Sequence, residues 1–495
     1  MPKAQSSFDL ALRERRPGEL LTSWLYEELR QAMLNGQLRP GTRLPATRDF
    51  AGQYKTSRGT VVSVFEQLQA EGYLICRVGA GSWVNNSLSA HLPSPKIRQI
   101  RPKYLPTPAR EFAFSRPPRP FRAYEPALAE FPTDVWARVA GRRLRKASPS
   151  LLAGHDPRVS RTLREAIAAY LGSSRGVNCA PDQVVIVSGV QQGLDLLARL
   201  LVKSGEPVWL EDPGYFGATG AFRNAGARIV PVPTDAEGLL ISEGIRLCKR
   251  AKAAYVTPAH QFPLGMTMSI GRRLALLAWA RKAGAYVIED DYDSEYRFDG
   301  PPVPALHGLD TGASVIFLGS FNKVLFPSLR LGYLVLPTAL VDSVLALRFA
   351  VDLHPVGLDQ AILSDFILEG HFARHIRRMR ELYAARLAAL QEAAQKYLAG
   401  LLEISPVRAG LSTTGLLPKG MSSHQVEAAA AARGIEVIAL DRFSLTGKVA
   451  SGLLLGFAPF DEREIRGAVS NLAAVLDEMQ RSRTQVPHPS TRRRA

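Results

Sequence analysis

Seven short apolar runs, at 184–187, 208–210, 228–232, 253–257, 285–288, 314–318 and 331–336, recur along the chain with helix-length stretches between them. Runs of that length set between helices read as strands buried on both faces. The pattern therefore predicts a large α/β domain around a mixed, mostly parallel seven-stranded sheet. Ligands of such sheets bind where strand ends meet loops. Polar residues stand at those places: Ser188-Gly189, Glu211-Asp212, His260, Glu289-Asp290-Asp291 and Ser320 each follow a run.

Composition divides the 495 residues further. A polar arm at 1–17 precedes a periodic, nearly neutral stretch at 18–86. Residues 87–122 hold eight prolines and eight Lys/Arg against one acid, a linker composition. The α/β pattern occupies 123–480, and 481–495 is an arginine-bearing tail without acids, read as disordered. The net charge of +17 suggests nucleic acid or an anionic surface as partner. Most of that excess sits in the linker and tail, since 18–86 balances seven basic residues against six acidic ones. No apolar run reaches the ~18 residues of a membrane helix. The first residues lack the apolar core of a signal peptide, and Cys76, Cys179 and Cys248 are too scattered for a disulfide or zinc framework. A cytoplasmic protein with no membrane contact is expected.

Within 18–86 the spacing predicts helices at 21–34, 46–53 and 57–71, the last capped by Ser57, then strands at 72–75 and 82–84 joined by Gly79-Ala80-Gly81. Three helices and a β-hairpin make a winged helix-turn-helix, which sets the start of its third helix in the DNA major groove. There Arg58 can donate two hydrogen bonds to guanine, and Thr60 or Ser57 can bind phosphate. The plainer alternative is a protein-docking module with a solvated Arg58.

Three features of the α/β part carry chemistry. The four carboxylates of Glu289-Asp290-Asp291-Tyr292-Asp293 can hold Mg²⁺, stay solvated, or lend one buried member to a protonated heterocyclic nitrogen. Lys323 follows a strand among Phe321, Val324, Leu325 and Phe326. It is either a surface lysine or a desolvated amine able to form a Schiff base. Ser188-Gly189-Val190 opens a helix whose N–H groups can cradle phosphate, with Arg330 as countercharge. Together these are the parts that pyridoxal 5′-phosphate requires: a capturing amine, an acid for the ring nitrogen, a phosphate cup and, at Tyr215, an aromatic face. His371 and His375 sit at i, i+4, but Arg374, Arg377, Arg378 and Arg380 crowd them, and no metal site is expected.

Pro40-Gly41-Thr42-Arg43-Leu44-Pro45-Ala46-Thr47-Arg48 followed by Ser57-Arg58-Gly59-Thr60-Val61 resembles the DNA-binding domain of GntR-type regulators. The segments Thr257-Pro258-Ala259-His260-Gln261-Phe262-Pro263-Leu264-Gly265, Glu289 to Tyr296, and Ser320-Phe321-Asn322-Lys323 with Arg330-Leu331-Gly332-Tyr333 look like the MocR (PdxR) subfamily. In that subfamily such a reader is fused to a fold-type I aminotransferase-like domain. The resemblance implies DNA contacts by Arg48, Ser57, Arg58, Thr60 and Gly79. It implies that Lys323 carries the cofactor, Asp290 binds its ring nitrogen, Tyr292 its 3′-oxygen, and Tyr215 stacks on it. Ser188, Gly189, Val190, Ser320 and Arg330 would hold the phosphate. It further implies a head-to-tail homodimer acting on double-stranded operator DNA and sensing an amine, an amino-acid-like effector or the cofactor itself.

Several positions depart from the family pattern. Leucine, at Leu454, stands where aminotransferases place the arginine for the substrate carboxylate, so transamination would need Arg442 or another arginine. Gly154-His155-Asp156-Pro157 lacks the tyrosine that reaches the partner's phosphate. The asparagine near the ring oxygen is replaced around His260-Gln261-Phe262, and Val62 occupies a position that is basic in some readers. The rival readings are a working aminotransferase bearing a DNA-binding appendage and a DNA-binding protein with an inert scaffold. Deleting residues 481–495 should flatten the salt dependence of DNA binding, the log–log slope falling by about 0.9 for each phosphate no longer neutralised. Operator preference should survive in the same binding titration, and its loss would contradict the assignment.

Overall fold

Leu25, Leu29, Ala32 and Met33 recur at helical spacing, and in the computed structural model of the chain they form the buried stripe of helix α1 (Leu21–Leu34). The structure describes residues 10–77, 81–87, 118–153, 158, 160–300 and 303–484. The chain divides into two units, 1–113 and 114–495.

In the first unit, α2 (Thr47–Gln53) buries Phe50 and Ala51, and α3 (Arg58–Ala70) buries Val61, Val64, Phe65 and Leu68. Ser57 caps α3, its hydroxyl accepting from the Thr60 N–H at 3.1 Å. Three short strands, β1 (Arg43–Leu44), β2 (Leu74–Arg77) and β3 (Gly81–Val84), pair antiparallel in the order β1-β3-β2. The sequence reading has the wing hairpin but not β1, because two residues are too few to display alternation. Gly41, at φ +80°, turns the chain so that its N–H reaches the Val84 carbonyl and β1 lies against the wing. The arm joins this unit from Leu10 onward: Leu10 is buried and its N–H donates to the Tyr54 hydroxyl at 2.8 Å.

The second unit opens with α4 (Thr133–Arg145), α5 (Pro149–Ala153) and α6 (Arg161–Arg175). Its sheet has eight strands: β4 (Val184–Val187), β5 (Pro207–Asp212), β6 (Arg228–Asp235), β7 (Gly238–Leu239), β8 (Ala253–Val256), β9 (Tyr286–Asp291), β10 (Val315–Ser320) and β11 (Gly332–Val335). They lie in the order β4-β11-β10-β9-β8-β5-β6-β7. All the pairings are parallel except those of β11 and β7. Seven of the eight are the expected runs. The addition, β7, is a two-residue return of β6, again too short to read.

Alternate residues of each strand enter cores on opposite faces. Val184, Ile186 and Phe317 pack to one side, and Val185, Val187, Ile316 and Leu318 to the other. Helices α7 (Val190–Leu201), α8 (Phe216–Asn224), α9 (Ile241–Cys248) and α10 (Ile270–Ala283) link the strands. After β11 come α11 (Thr338–Asp352), α12 (Gly357–Leu368) and the long α13 (His371–Tyr397). A second, antiparallel sheet joins β12 (Glu403–Ile404), β13 (Ser412–Leu416), β14 (Ile438–Ala439) and β15 (Gly452–Gly456) in the order β12-β13-β15-β14, accompanied by α14 (Ser423–Ala432) and α15 (Glu462–Thr484).

Two boundaries shift from the sequence reading. Phe121 is buried and pairs with Gly456, and the buried Arg122 bonds Glu436, so the end of the linker is packed onto this unit. At the other end α15 reaches Thr484, with Arg481 paired to Asp477 across one turn, so the first residues read as tail are helical.

One buried ion pair ties α6 to the sheet: the Arg175 guanidinium meets Asp291 at 2.7 Å, both side chains almost wholly enclosed. Asp291→Ala would leave that cation uncompensated and should cost about 3–5 kcal/mol. Denaturant unfolding followed by circular dichroism checks this; a loss below about 1 kcal/mol would count against the pair as a structural tie.

Candidate functional site

The ends of β5, β8, β9 and β10 and the start of α7 open onto a cavity of 320 Å³. Seven of the nine expected cofactor-site residues line it: Val190, Tyr215, Asp290, Tyr292, Ser320, Lys323 and Arg330. The other two stand just before α7. Gly189, at φ +89°, lets the chain turn from β4 into the helix, and a Cβ there would lie 3.7 Å from the Arg330 guanidinium carbon. The Ser188 N–H is already taken by Gln192 Oε1 at 2.7 Å, so a phosphate cup at this helix would use the following N–H groups and the Ser188 hydroxyl. Arg330 makes no ion pair among the described residues.

The acid run is partitioned by strand alternation and by separate partners. Glu289 accepts from the Leu306 and His307 N–H groups, Asp291 pairs with Arg175, and Asp293 meets His260 Nδ1 at 3.0 Å. Asp290 and Asp293 both line the cavity, and Asp290 is the one without a cationic or histidine partner among the described residues. Its Oδ2 accepts from the Tyr255 hydroxyl at 2.6 Å, while Oδ1 is buried without a hydrogen-bond partner. Burial raises this carboxyl to about 7. An unmatched acceptor in that position is suited to a protonated ring nitrogen, whose charge would hold the carboxylate ionised.

Lys323 lies on the turn after β10, flanked in sequence by the buried Phe321, Val324 and Leu325. Desolvation lowers its ammonium to about 8, against partial compensation from Asp293 and Glu125. Its Nζ donates to the Tyr124 carbonyl. The end of β10 needs a glycine before Ser320: a Cβ on Gly319 would come within 2.2 Å of the Tyr333 ring on the neighbouring strand. The Tyr292 hydroxyl lies 3.0 Å from His260 Nδ1, the same nitrogen that Asp293 engages. Gly410, at φ +93°, brings its backbone so close that a Cβ would collide with His260. Tyr215 meets Phe262 edge-on, with ring centres 5.9 Å apart.

Sequence reasoning missed Tyr124, Tyr255, Thr257, Phe262, Asn322, Leu411 and Ser412, which also line the cavity. Asn322 adjoins Lys323 and was within reach of the motif. Tyr255 and Tyr124 carry no local signal, because they meet their partners 35 and 199 residues away. Leu454 is fully buried in an apolar cluster with Phe262, Leu440 and Phe443, and Arg442 is bound to Glu427 at 2.9 Å. Gly154 to Pro157 lie outside the described residues.

In the reader, Arg48 on α2 and Ser57 and Arg58 at the start of α3 are exposed, and Thr60 is half-buried. The Ser57 and Thr60 hydroxyls are 2.8 Å apart. Gly79 falls outside the described residues. None of the described helices is long and apolar enough to cross a membrane.

Residues 21–84 match the family described as bacterial regulatory proteins, gntR family, and residues 124–447 match aminotransferase class I and II. The chain is 39% identical to the probable rhizopine catabolism regulatory protein MocR of Rhizobium meliloti, over 91% of this chain and 93% of that protein. It is 32% identical to the HTH-type pyridoxine biosynthesis transcriptional regulator PdxR of Corynebacterium glutamicum, over 94% and 97%. Among solved structures it is similar to the α-aminoadipate aminotransferase LysN of Thermus thermophilus, complexed with N-(5'-phosphopyridoxyl)-L-leucine. That likeness has a TM-score of 0.68 and 29% identity over 73% of this chain and 92% of that one. Pyridoxal phosphate is the cofactor of such a domain, and the partnerless Asp290 oxygen, the desolvated Lys323 and the Arg330 end of the cavity fit it. With a gntR-type DNA reader joined to a fold-type I aminotransferase-like domain, the chain belongs to the MocR family of transcriptional regulators.

Proposed function

We propose that this regulator reads operator DNA with Arg48, Ser57, Arg58, Thr60 and Gly79 and senses an amine, an amino-acid-like effector or the cofactor itself through Lys323. The observation that carries the sensor half is the meeting of a desolvated lysine and a buried, half-partnered aspartate in one cavity. Bound pyridoxal phosphate supplies an electrophilic aldehyde carbon. Lys323 would hold that carbon, Asp290 the ring nitrogen and Tyr292 the 3′-oxygen, with Tyr215 on the ring face. Ser188, Gly189, Val190, Ser320 and Arg330 would take the phosphate. His260 and Asp293 orient Tyr292 from behind. Relatives named for rhizopine catabolism and pyridoxine biosynthesis support control of small-molecule metabolism.

Two further parts of the reading concern assembly and place. Leu144, Leu152, Phe349, Leu353 and Val356 of the second unit are exposed, an apolar provision that supports a homodimer, head-to-tail by analogy with the family. The DNA target supports a cytoplasmic location. The rival reading, routine transamination, is opposed by Leu454 in its apolar cluster and by the Glu427 tie on Arg442.

Equilibrium binding to the protein's own promoter fragment, with and without pyridoxal phosphate, tests the reading. Arg58→Ala should weaken specific binding by about 1–3 kcal/mol and leave binding to unrelated DNA nearly unchanged. Unchanged specific affinity would remove Arg58 from the contact surface. Lys323→Ala should abolish the cofactor chromophore and the response of DNA binding to it. The rate at which the wild-type protein captures the cofactor should rise with pH through about 8, since Lys323 is lowered there from 10.5. At pH 7 about one amine in ten would then be neutral, against about one in three thousand for an ordinary lysine. A rate still climbing toward pH 10 in stopped-flow absorbance would show that Lys323 is not desolvated in solution.

A further inference from the structure

We infer that the cavity selects a primary amine whose remaining part carries no carboxylate: an apolar or hydroxylated amine rather than an amino acid. The inference rests on the cofactor reading above and narrows its effector.

The two cations lining the cavity among the described residues are Lys323 and Arg330. Lys323 is the attachment point. Arg330 stands beside Gly189 at the start of α7, the phosphate end. The remaining wall is of another character. Phe262, Leu411, Ser412 and Tyr124 line it, together with Asp293, which is engaged by His260, and Leu454, Leu440 and Phe443 share one buried cluster with Phe262. Leu454 sits centrally in the second sheet, opposite Thr414 of β13 and Ile438 of β14, while its neighbours Leu453 and Leu455 turn to the main core. This strand therefore adds an apolar residue to the cluster that backs the lining residue Phe262.

The nearby arginines named by the sequence and the fold are engaged elsewhere. Arg442 bonds Glu427 at 2.9 Å, and Arg122 bonds Glu436 at 3.0 Å and Glu125 at 3.5 Å. A carboxylate brought against this wall would lose water and meet no arginine, only the amine that Lys323 releases, which the Tyr124 carbonyl already engages. A hydroxyl or carbonyl would fare differently. The Tyr124 hydroxyl is buried without a partner and the Ser412 side chain is within the wall, so neutral polar groups have a donor to meet.

Entry of such an amine is a swap of one nitrogen for another. With the cofactor held by Lys323, the incoming nitrogen would bond the aldehyde carbon as the bond to Lys323 Nζ breaks, Nζ would take the protons that the incoming ammonium gives up, and nothing would be oxidised or reduced.

The test titrates the full-length, cofactor-loaded protein with isoamylamine and with L-leucine, which differ by the carboxylate alone. Absorbance of the bound cofactor and the heat of binding are the readouts, with concentrations counted as free base. The expected result is half-maximal change at a concentration at least tenfold lower for isoamylamine. Equal or better exchange with L-leucine overturns the inference, and so does a protein that responds to neither, while its chromophore leaves the cofactor reading standing. A wild-type protein with no chromophore, or one unaltered by Lys323→Ala, brings down both. Leu454→Arg should shift the preference toward L-leucine by at least tenfold. Should that variant fail to retain the cofactor, Ser412→Arg, on the cavity wall, is expected to move the ratio in the same direction, and no movement in either contradicts the assignment of this wall.

Discussion

Carboxylates buried side by side at the end of β9 are the constraint around which the second unit is arranged. Three acids in a row repel one another and resist desolvation, so each must be met by something different. Alternation sends Glu289 and Asp291 away from the cavity, one to two backbone N–H groups and the other to Arg175. Asp290 is left between them, supported by Tyr255 on one oxygen and by nothing on the other. The helix that brings Arg175, the strand that brings Tyr255 and the loop that brings Leu306 are thus all anchored by one short run of charge. A ring cation would complete the set of partners, since Asp290 Oδ1 has none among the described residues.

The same arrangement explains what was legible in the sequence. Strands buried on both faces announce themselves as apolar runs, and seven of them were readable. Motifs that keep their chemistry within a few residues, such as Ser57 with Thr60 or Ser320 with Lys323, were readable as well. Two-residue strands such as β1 and β7 have no period to detect. The second sheet was not read from the sequence, because three of its strands are short and only partly buried. Partners that meet across distant stretches, Tyr255 with Asp290 or Tyr124 with Lys323, leave no trace in local spacing. The boundaries at 122 and 481 were misplaced for a related reason: proline and arginine content describes a solvent preference, whereas Phe121 and the last turns of α15 are held by tertiary contacts.

The basic excess and the gntR-type reader occupy separate stretches of the sequence. The reader is close to neutral, and the basic excess behind the net +17 lies mainly in the linker and tail.

The bond from Lys323 Nζ to the Tyr124 carbonyl has a mechanical meaning. Tyr124 lies two residues beyond the end of the linker stretch, and the segment between is pinned at Phe121 and Arg122. A lysine donates to that carbonyl only while its amine hydrogens are available, so any group that claims this nitrogen competes with the clasp at the root of the tether. The chemical state of one amine thus decides whether this hydrogen bond, three residues after the packed Phe121, is made.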